Sequence, residues 1–174
     1  MDVPRTGVFG KLPAHGDFVR RALPRSFVAP WDDWLSRGIA AAREAMGEGW
    51  ETAWDSAPVW RFRLAPGACG PDAAVGVVAT SADTVGRRFP LTLAAVLPTA
   101  ALPPPEDWFM ALEDAILRAR AGEVDADALL DLLPPPPPDD PDATLDGRSL
   151  FWVAGGTTQH MPSNFAPLLE AIPA

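Results

Sequence analysis

The sequence predicts a single α/β domain over residues 1–174, with a mixed β-sheet flanked by helices on both faces, an α-β-α sandwich. Three observations predict it. Apolar runs at 59–64, 73–80 and 91–97 have strand length and short polar links, and consecutive strands so linked pair antiparallel. Two stretches, 31–46 and 106–122, repeat apolar residues at helical spacing. The chain has 174 residues, 48% of them hydrophobic, which is enough for one full core.

In chain order, TGVFGKL (6–12) reads as a short buried strand punctuated by glycine. Residues 13–30, with Pro13, Gly16, Pro24 and Pro30, read as a loop. Pro30 suits the opening of a helix, where a missing N–H costs nothing. The helix then runs over 31–46, with Trp31, Trp34, Leu35, Ile39 and Ala42 on one stripe and Asp32 and Asp33 in its first turn. Gly47 stops it, and WETAW (50–54) forms a second short helix. VWRFRL (59–64) alternates apolar and basic residues, as a half-buried strand does. Arg61 and Arg63 share one face of it and could balance buried carboxylates. APGACGPD is turn chemistry, AAVGVVAT (73–80) a central strand, and LTLAAVL (91–97) another buried one. In 106–122, Trp108, Leu112, Ala115, Ile116 and Ala119 share a helix face that ends at Gly122. VDADALLDLL is a shorter acidic helix. PPPPPDDPDA (134–143) is an exposed Pro/Asp-rich loop of extended preference. SLFWVA (149–154) is the last strand, and 164–172 a last short helix with Asn164 as cap.

Composition excludes several function classes. The net charge of −9 repels phosphate backbones, so nucleic acid is not the expected partner. Charge is also uneven: residues 1–40 hold six basic and four acidic side chains, residues 101–150 three basic and twelve acidic. One face could therefore meet an acidic partner while the other stays solvated. Cys69 is the only cysteine, which rules out an intramolecular disulfide and suits a reducing compartment. The N-terminus has no secretory pattern and no run is long enough to insert in a membrane, so a cytoplasmic protein is expected.

Motif chemistry points away from catalysis. A phosphate loop needs G-x-x-x-x-G-K-[ST], but Gly7 and Gly10 are too close and Leu12 stands where the hydroxyl belongs. His15 with Asp17 resembles a base oriented by a carboxylate, yet no G-x-S-x-G elbow supplies a nucleophile. Cys69 beside glycines is a weak partner for a lone histidine. A small hydrolase using His15 and Cys69 is thus a minor alternative. His15 and His160 lie far apart, and no metal-ligand spacing exists. No cofactor is expected. The acidic run at 139–142 lacks the glycine and terminal glutamate of a calcium loop. In SADTVGRRFP (81–90), Asp83, Arg87 and Arg88 lie between two strands. They read either as a contact for an anion or partner or as an Asp–Arg pair that fixes the loop.

Taken together, GKLPAHGDFVRR followed by LPRSFVAPWDDWL, then PVWRFRLAPGACG, then DTVGRRFPLTL, resemble the N-terminal domain of the TagF family, associated with type VI secretion. The likeness spans roughly residues 6–97 and continues weakly through SLFWVAGG and MPSNFAPLL. The resemblance implies an α/β sandwich without known catalysis and a cytoplasmic, post-translational repressor that acts through Fha, the forkhead-associated scaffold protein. Some relatives carry a fused protein phosphatase domain, which is not expected in a chain ending at Ala174. A structural subunit of the apparatus is the alternative. Family motifs fall on Gly10, Lys11, Leu12, Pro13, Gly16, Asp17 and Phe18, on Trp31, Asp32, Trp34 and Leu35, on Trp60, Arg61 and Phe62, and on Asp83, Gly86, Arg87, Phe89 and Pro90. VATSADTVG departs from them in lacking a proline before Ser81. On this basis Gly10 and Gly16 set the backbone and Phe18 anchors the loop in the core. Lys11, His15, Asp17, Arg20, Asp83, Arg87 and Arg88 are candidate partner contacts, the alternative being that Lys11 and Asp17 only brace the loop.

Overall fold

The unbroken apolar run at 73–79 becomes the middle of the sheet. The computed structural model describes residues 5–98, 103–143 and 147–169. Its strands are β1 (Gly7–Gly10), β2 (Val19–Arg21), β3 (Trp60–Leu64), β4 (Ala73–Ala79), β5 (Leu91–Leu97), β6 (Leu150–Trp152) and β7 (Thr158–His160). They form one seven-stranded sheet in the order β2-β1-β5-β4-β3-β6-β7. β4 is paired along its length on both sides, Trp60 facing Val78 and Leu91 facing Ala79. Every strand pairing among the described residues is antiparallel, which corrects the expected mixed sheet. The short links in β3-β4-β5 reverse the chain each time, and β1 and β6 dock antiparallel to the outer strands of that meander. No parallel pair therefore needs a crossover.

The helices are α1 (Arg25–Met46), α2 (Trp50–Ser56), α3 (Glu106–Arg120), α4 (Ala126–Leu132) and α5 (Ala166–Leu169), with a 3-10 turn at Gly47–Gly49. Successive strand side chains point to opposite faces, and the buried ones divide into two clusters. One gathers Phe9, Trp60, Phe62, Val78 and Phe151 with residues of α1, α2 and α5. The other gathers Val8, Val75, Val77, Leu91 and Leu93 with residues of α3 and α4.

α1 starts six residues earlier than the sequence pattern predicts, after Pro24 and with Pro30 inside it. Phe27 and Val28 are buried, so the apolar stripe extends a turn upstream and packing offsets the proline. Asp32 and Asp33 consequently sit in mid-helix, where Asp33 pairs with Arg37 at 2.7 Å. Pro30 has no N–H for the Ser26 carbonyl. The backbone of Gly70 lies against that oxygen so closely that a Cβ would collide with it.

Three further expectations change. β3 is buried on both faces rather than one, because α3 covers the side that carries Arg61. Two three-residue edge strands go unpredicted, β2 within the expected loop 13–30 and β7 after the turn that follows Trp152. The proline-rich segment is fastened rather than merely exposed. Pro134 O accepts from Thr6 Oγ1 at 2.6 Å, Pro135 O accepts from Trp108 Nε1 at 2.8 Å, and Pro137 is buried. Asn164 Oδ1 does accept from Ala166 N at 2.8 Å, capping α5. The expected helix beyond Leu169 and part of the stretch 98–105 lie outside the described residues.

Candidate functional site

The two polar loops singled out by sequence, 11–18 and 82–88, lie side by side at one end of β1 and β5. Thr84 N donates to His15 O at 2.8 Å, and Thr84 Oγ1 to Pro13 O at 2.6 Å. Arg87 Nη2 donates to Gly16 O at 2.5 Å, and Lys11 N to Pro90 O at 3.3 Å. Gly10 has a φ of 133°, and a Cβ there would collide with Pro90 O, so this crossing requires glycine.

Asp83 is the hub. Its side chain is fully buried and accepts from Val85 N (3.1 Å), Arg87 N (2.9 Å) and Arg87 Nε (2.7 Å), with Lys11 Nζ at 3.8 Å. Burial pushes its carboxyl up, but the Arg87 N–H, the Arg87 guanidinium and the Val85 N–H together hold it below the usual carboxylate value. Gly86, at φ 84°, turns the chain inside this loop, and the bridge between Ala82 and Arg88 closes it. Asp83 thus braces its own loop, and Lys11 reaches the same carboxylate. Lys11 is only 9% exposed and lies beneath Phe18 rather than on the contact rim.

His15 and Asp17 share no hydrogen bond. His15 Nε2 accepts the N–H of Ala126 at 3.0 Å, the first residue of α4, and so satisfies one of that helix's free donors. Asp17 is exposed, and among the described residues its Oδ1 accepts only from the adjacent Phe18 N at 2.8 Å. Arg20 is exposed, and its carbonyl accepts from Arg21 Nη1 at 3.1 Å. Gly16 does not constrain the backbone as expected: its φ is ordinary and a side chain would meet open space, so only its carbonyl matters.

Phe18 departs furthest from expectation. It is 47% exposed rather than anchored in the core. Val19 turns inward at the start of β2, so alternation turns Phe18 and Arg20 away. The ring rests 4.8 Å from Phe89 and 6.1 Å from Phe9, centroid to centroid, with Lys11 Nζ 4.7 Å from its face. Phe9 and Phe89 do the anchoring, while Phe18 and, in the neighbouring loop, Val85 are exposed.

The remaining motif residues are structural. Trp31 Nε1 donates to Thr92 Oγ1 at 2.9 Å, Trp34 Nε1 to Pro162 O at 3.1 Å and Trp60 Nε1 to Leu168 O at 2.8 Å. Arg61 forks onto Glu106 with two bonds of 2.8 Å and reaches Glu113 at 2.6 Å, the carboxylate balance its strand position suggested. The Glu106 bond is the largest influence raising the guanidinium pKa, against burial, which lowers it. Cys69 is buried, its thiol pushed up to about 11 by that burial, and no hydrogen bond joins it to His15. Among the described residues no group of His, Cys, Asp or Glu is placed to hold a metal ion, and no helix is long and apolar enough to cross a membrane.

Arg88 points away from the two loops, toward α2, with Nη1 3.6 Å from Glu51 and Nη2 3.4 Å from Asp55. Its guanidinium is 5.8 Å from the centre of the Trp50 ring, and that of Arg43 is 4.7 Å from it. No sequence motif marks Arg43 or Trp50. The available signal was weak: a basic residue in the last turn of a helix, followed by a tryptophan.

A family model described as the TagF N-terminal domain, type VI secretion system-associated, matches residues 7–134. The crystal structure of PA0076 from Pseudomonas aeruginosa PAO1 superposes with a TM-score of 0.81 at 33% identity, over 97% of each chain. No curated protein matches the chain. The matched span holds both polar loops and β1 through α4, so the chain belongs to the family of type VI secretion-associated TagF N-terminal domains.

Proposed function

We propose that this chain is a non-catalytic, cytoplasmic regulator of a bacterial type VI secretion system, a post-translational repressor that acts by binding the Fha scaffold protein. Family membership supplies the secretion context. The chemistry of the polar loops supports a binding role. His15 is engaged at the start of α4, Cys69 is buried with a raised thiol, and Asp83 is saturated by its own loop. The observation that carries the reading is Phe18, a half-exposed aromatic held on a rigid base of Phe9, Phe89 and Lys11. Ordered aromatics of this kind make binding hot spots, because little side-chain entropy is lost when they are covered. The division of buried side chains between two clusters also supports an α-β-α layering. Such layering leaves the loop ends of the sheet as the surface for a partner.

Titration calorimetry with the Fha protein of the same secretion cluster tests this. Saturable binding is expected, weakened about 30-fold, or about 2 kcal/mol, by Phe18→Ala. No binding by the unaltered chain overturns the mechanism. Unchanged affinity in a folded Phe18→Ala variant removes the loops from the interface.

A further inference from the structure

We infer that the recess between the C-terminal half of α1, Trp50 and the loop 82–88 is a binding site for a phosphate group. Ile39, Arg43, Trp50, Glu51, Arg87 and Arg88 line this recess of about 300 Å³. The inference stands apart from the Fha reading, since it concerns a small anion and a surface that Phe18 does not share.

The first observation is an orphaned donor. Trp31, Trp34, Trp54, Trp60 and Trp108 each donate their indole N–H to an oxygen at 2.8–3.1 Å. Trp50 is 5% exposed, yet its Nε1 is buried with no hydrogen-bond partner. Buried donors are nearly always satisfied, and an indole N–H can only donate, so this one is open to an acceptor that a shift of its neighbours would admit.

The second observation is charge. In a chain of net charge −9, this one recess is lined by three arginines and one glutamate. Arg43 stacks on the Trp50 ring and makes no ion pair among the described residues, so its fork of donors is open. Arg88 is 28% exposed and holds Glu51 and Asp55 at 3.6 and 3.4 Å. Charge-assisted bonds close to about 2.8 Å, so these long contacts leave its donors available. Glu51 is 69% exposed and can swing aside at little cost. Arg87 is occupied by Asp83 and Gly16 and adds only its field.

The third is the match of chemistry. Three guanidinium groups on one recess, that of Arg43 without an ion pair among the described residues, make a donor-rich set of positive charge. A phosphate offers several acceptor oxygens and nearly two negative charges; a carboxylate offers two oxygens and one charge. The set therefore selects phosphate.

The test follows the indole N–H resonances of the full ¹⁵N-labelled chain during titration with inorganic phosphate, with chloride holding ionic strength constant. The Trp50 resonance is the one absent from a Trp50→Phe variant. A saturable shift of that resonance is expected at millimolar phosphate. The dissociation constant is expected to rise at least about tenfold in an Arg43→Gln, Arg88→Gln variant with an unchanged melting profile. No saturable shift, an equal shift with chloride alone, or an unchanged constant in the glutamine variant would overturn the site. A parallel titration with phenyl phosphate distinguishes the source. Tighter binding than inorganic phosphate supports an esterified phosphate as the ligand, and equal or weaker binding supports the free ion. Should Trp50→Phe not fold, the arginine variant alone decides, read by calorimetry.

Discussion

The two buried clusters solve the same problem differently. In the cluster that includes α1, α2 and α5 the core is aromatic, with Trp31 packed among Phe27, Trp34, Phe62 and Phe151. Its polar demand is scattered: single indole donors, each answered by one oxygen of Thr92, Pro162, Ser81 or Leu168. In the cluster that includes α3 and α4 the core is largely aliphatic, and its polar demand is concentrated in one buried cation. Arg61, 3% exposed, is held by Glu106 and Glu113 over the ring of Phe109. A scattered set of hydrogen bonds degrades one bond at a time. A buried charge depends on all its partners, because removing one side leaves the other desolvated and unpaired. The aromatic cluster also holds a donor unanswered among the described residues, Trp50 Nε1.

Ways to break this contrast follow in order of size. Trp31→Ala should cost about 4 kcal/mol in a urea titration, because the site is too crowded by fixed rings to collapse around the cavity. Arg61→Met should cost about 3 kcal/mol by stranding Glu113. Adding Glu113→Leu should recover most of that loss, and a double variant as unstable as the single one would show that the demand in this cluster is not concentrated. Thr92→Val keeps volume but removes the acceptor of Trp31 Nε1. It should cost about 1 kcal/mol, the size of one scattered bond.

Acid sharpens the contrast further. Arg61, by its hydrogen bond, holds the Glu106 carboxyl below its ordinary 4.5 against the smaller effect of desolvation, and the loop bonds hold Asp83 below 3.8. A carboxylate with a depressed folded value stabilises fully above its ordinary value and loses that contribution as pH falls through the folded one. The melting temperature should therefore vary little between about pH 5 and 7 and fall below about pH 4.5. Glu106→Gln should flatten part of that fall, which differential scanning calorimetry would show. The smallest effect is kinetic: Cys69, buried with its thiol near 11, should label with iodoacetamide at pH 8 far more slowly than in urea-unfolded chain.

Local pattern reached far in this chain. The stripes through Trp31, Leu35, Ile39 and Ala42 and through Trp108, Leu112, Ile116 and Ala119 are buried as their spacing predicts, and the strands at 73–79 and 91–97 form the middle of the sheet. The start of α1 was misread because the local preference of Pro30 conflicts with burial of Phe27 and Val28, and burial won. β2 and β7, three residues each, are too short for a period to register and exist because neighbouring strands offer free edges. The loops 11–18 and 82–88 were legible as polar turns, but not as one stitched unit: Lys11 meets Asp83, and Arg87 meets Gly16, across some seventy residues.

By itself, then, the sequence determined which segments are helix and strand over most of the chain, which faces are apolar, and the family. Periodicity and turn chemistry are properties of neighbouring residues, and motif order is carried along the chain. Only the tertiary structure decided the wholly antiparallel order, the exposure of Phe18, the engagement of Asp83 and His15, and the orphaned donor beside Arg43 and Arg88. Whether a polar group is satisfied depends on what the fold brings to it from far along the chain, and that is set by topology.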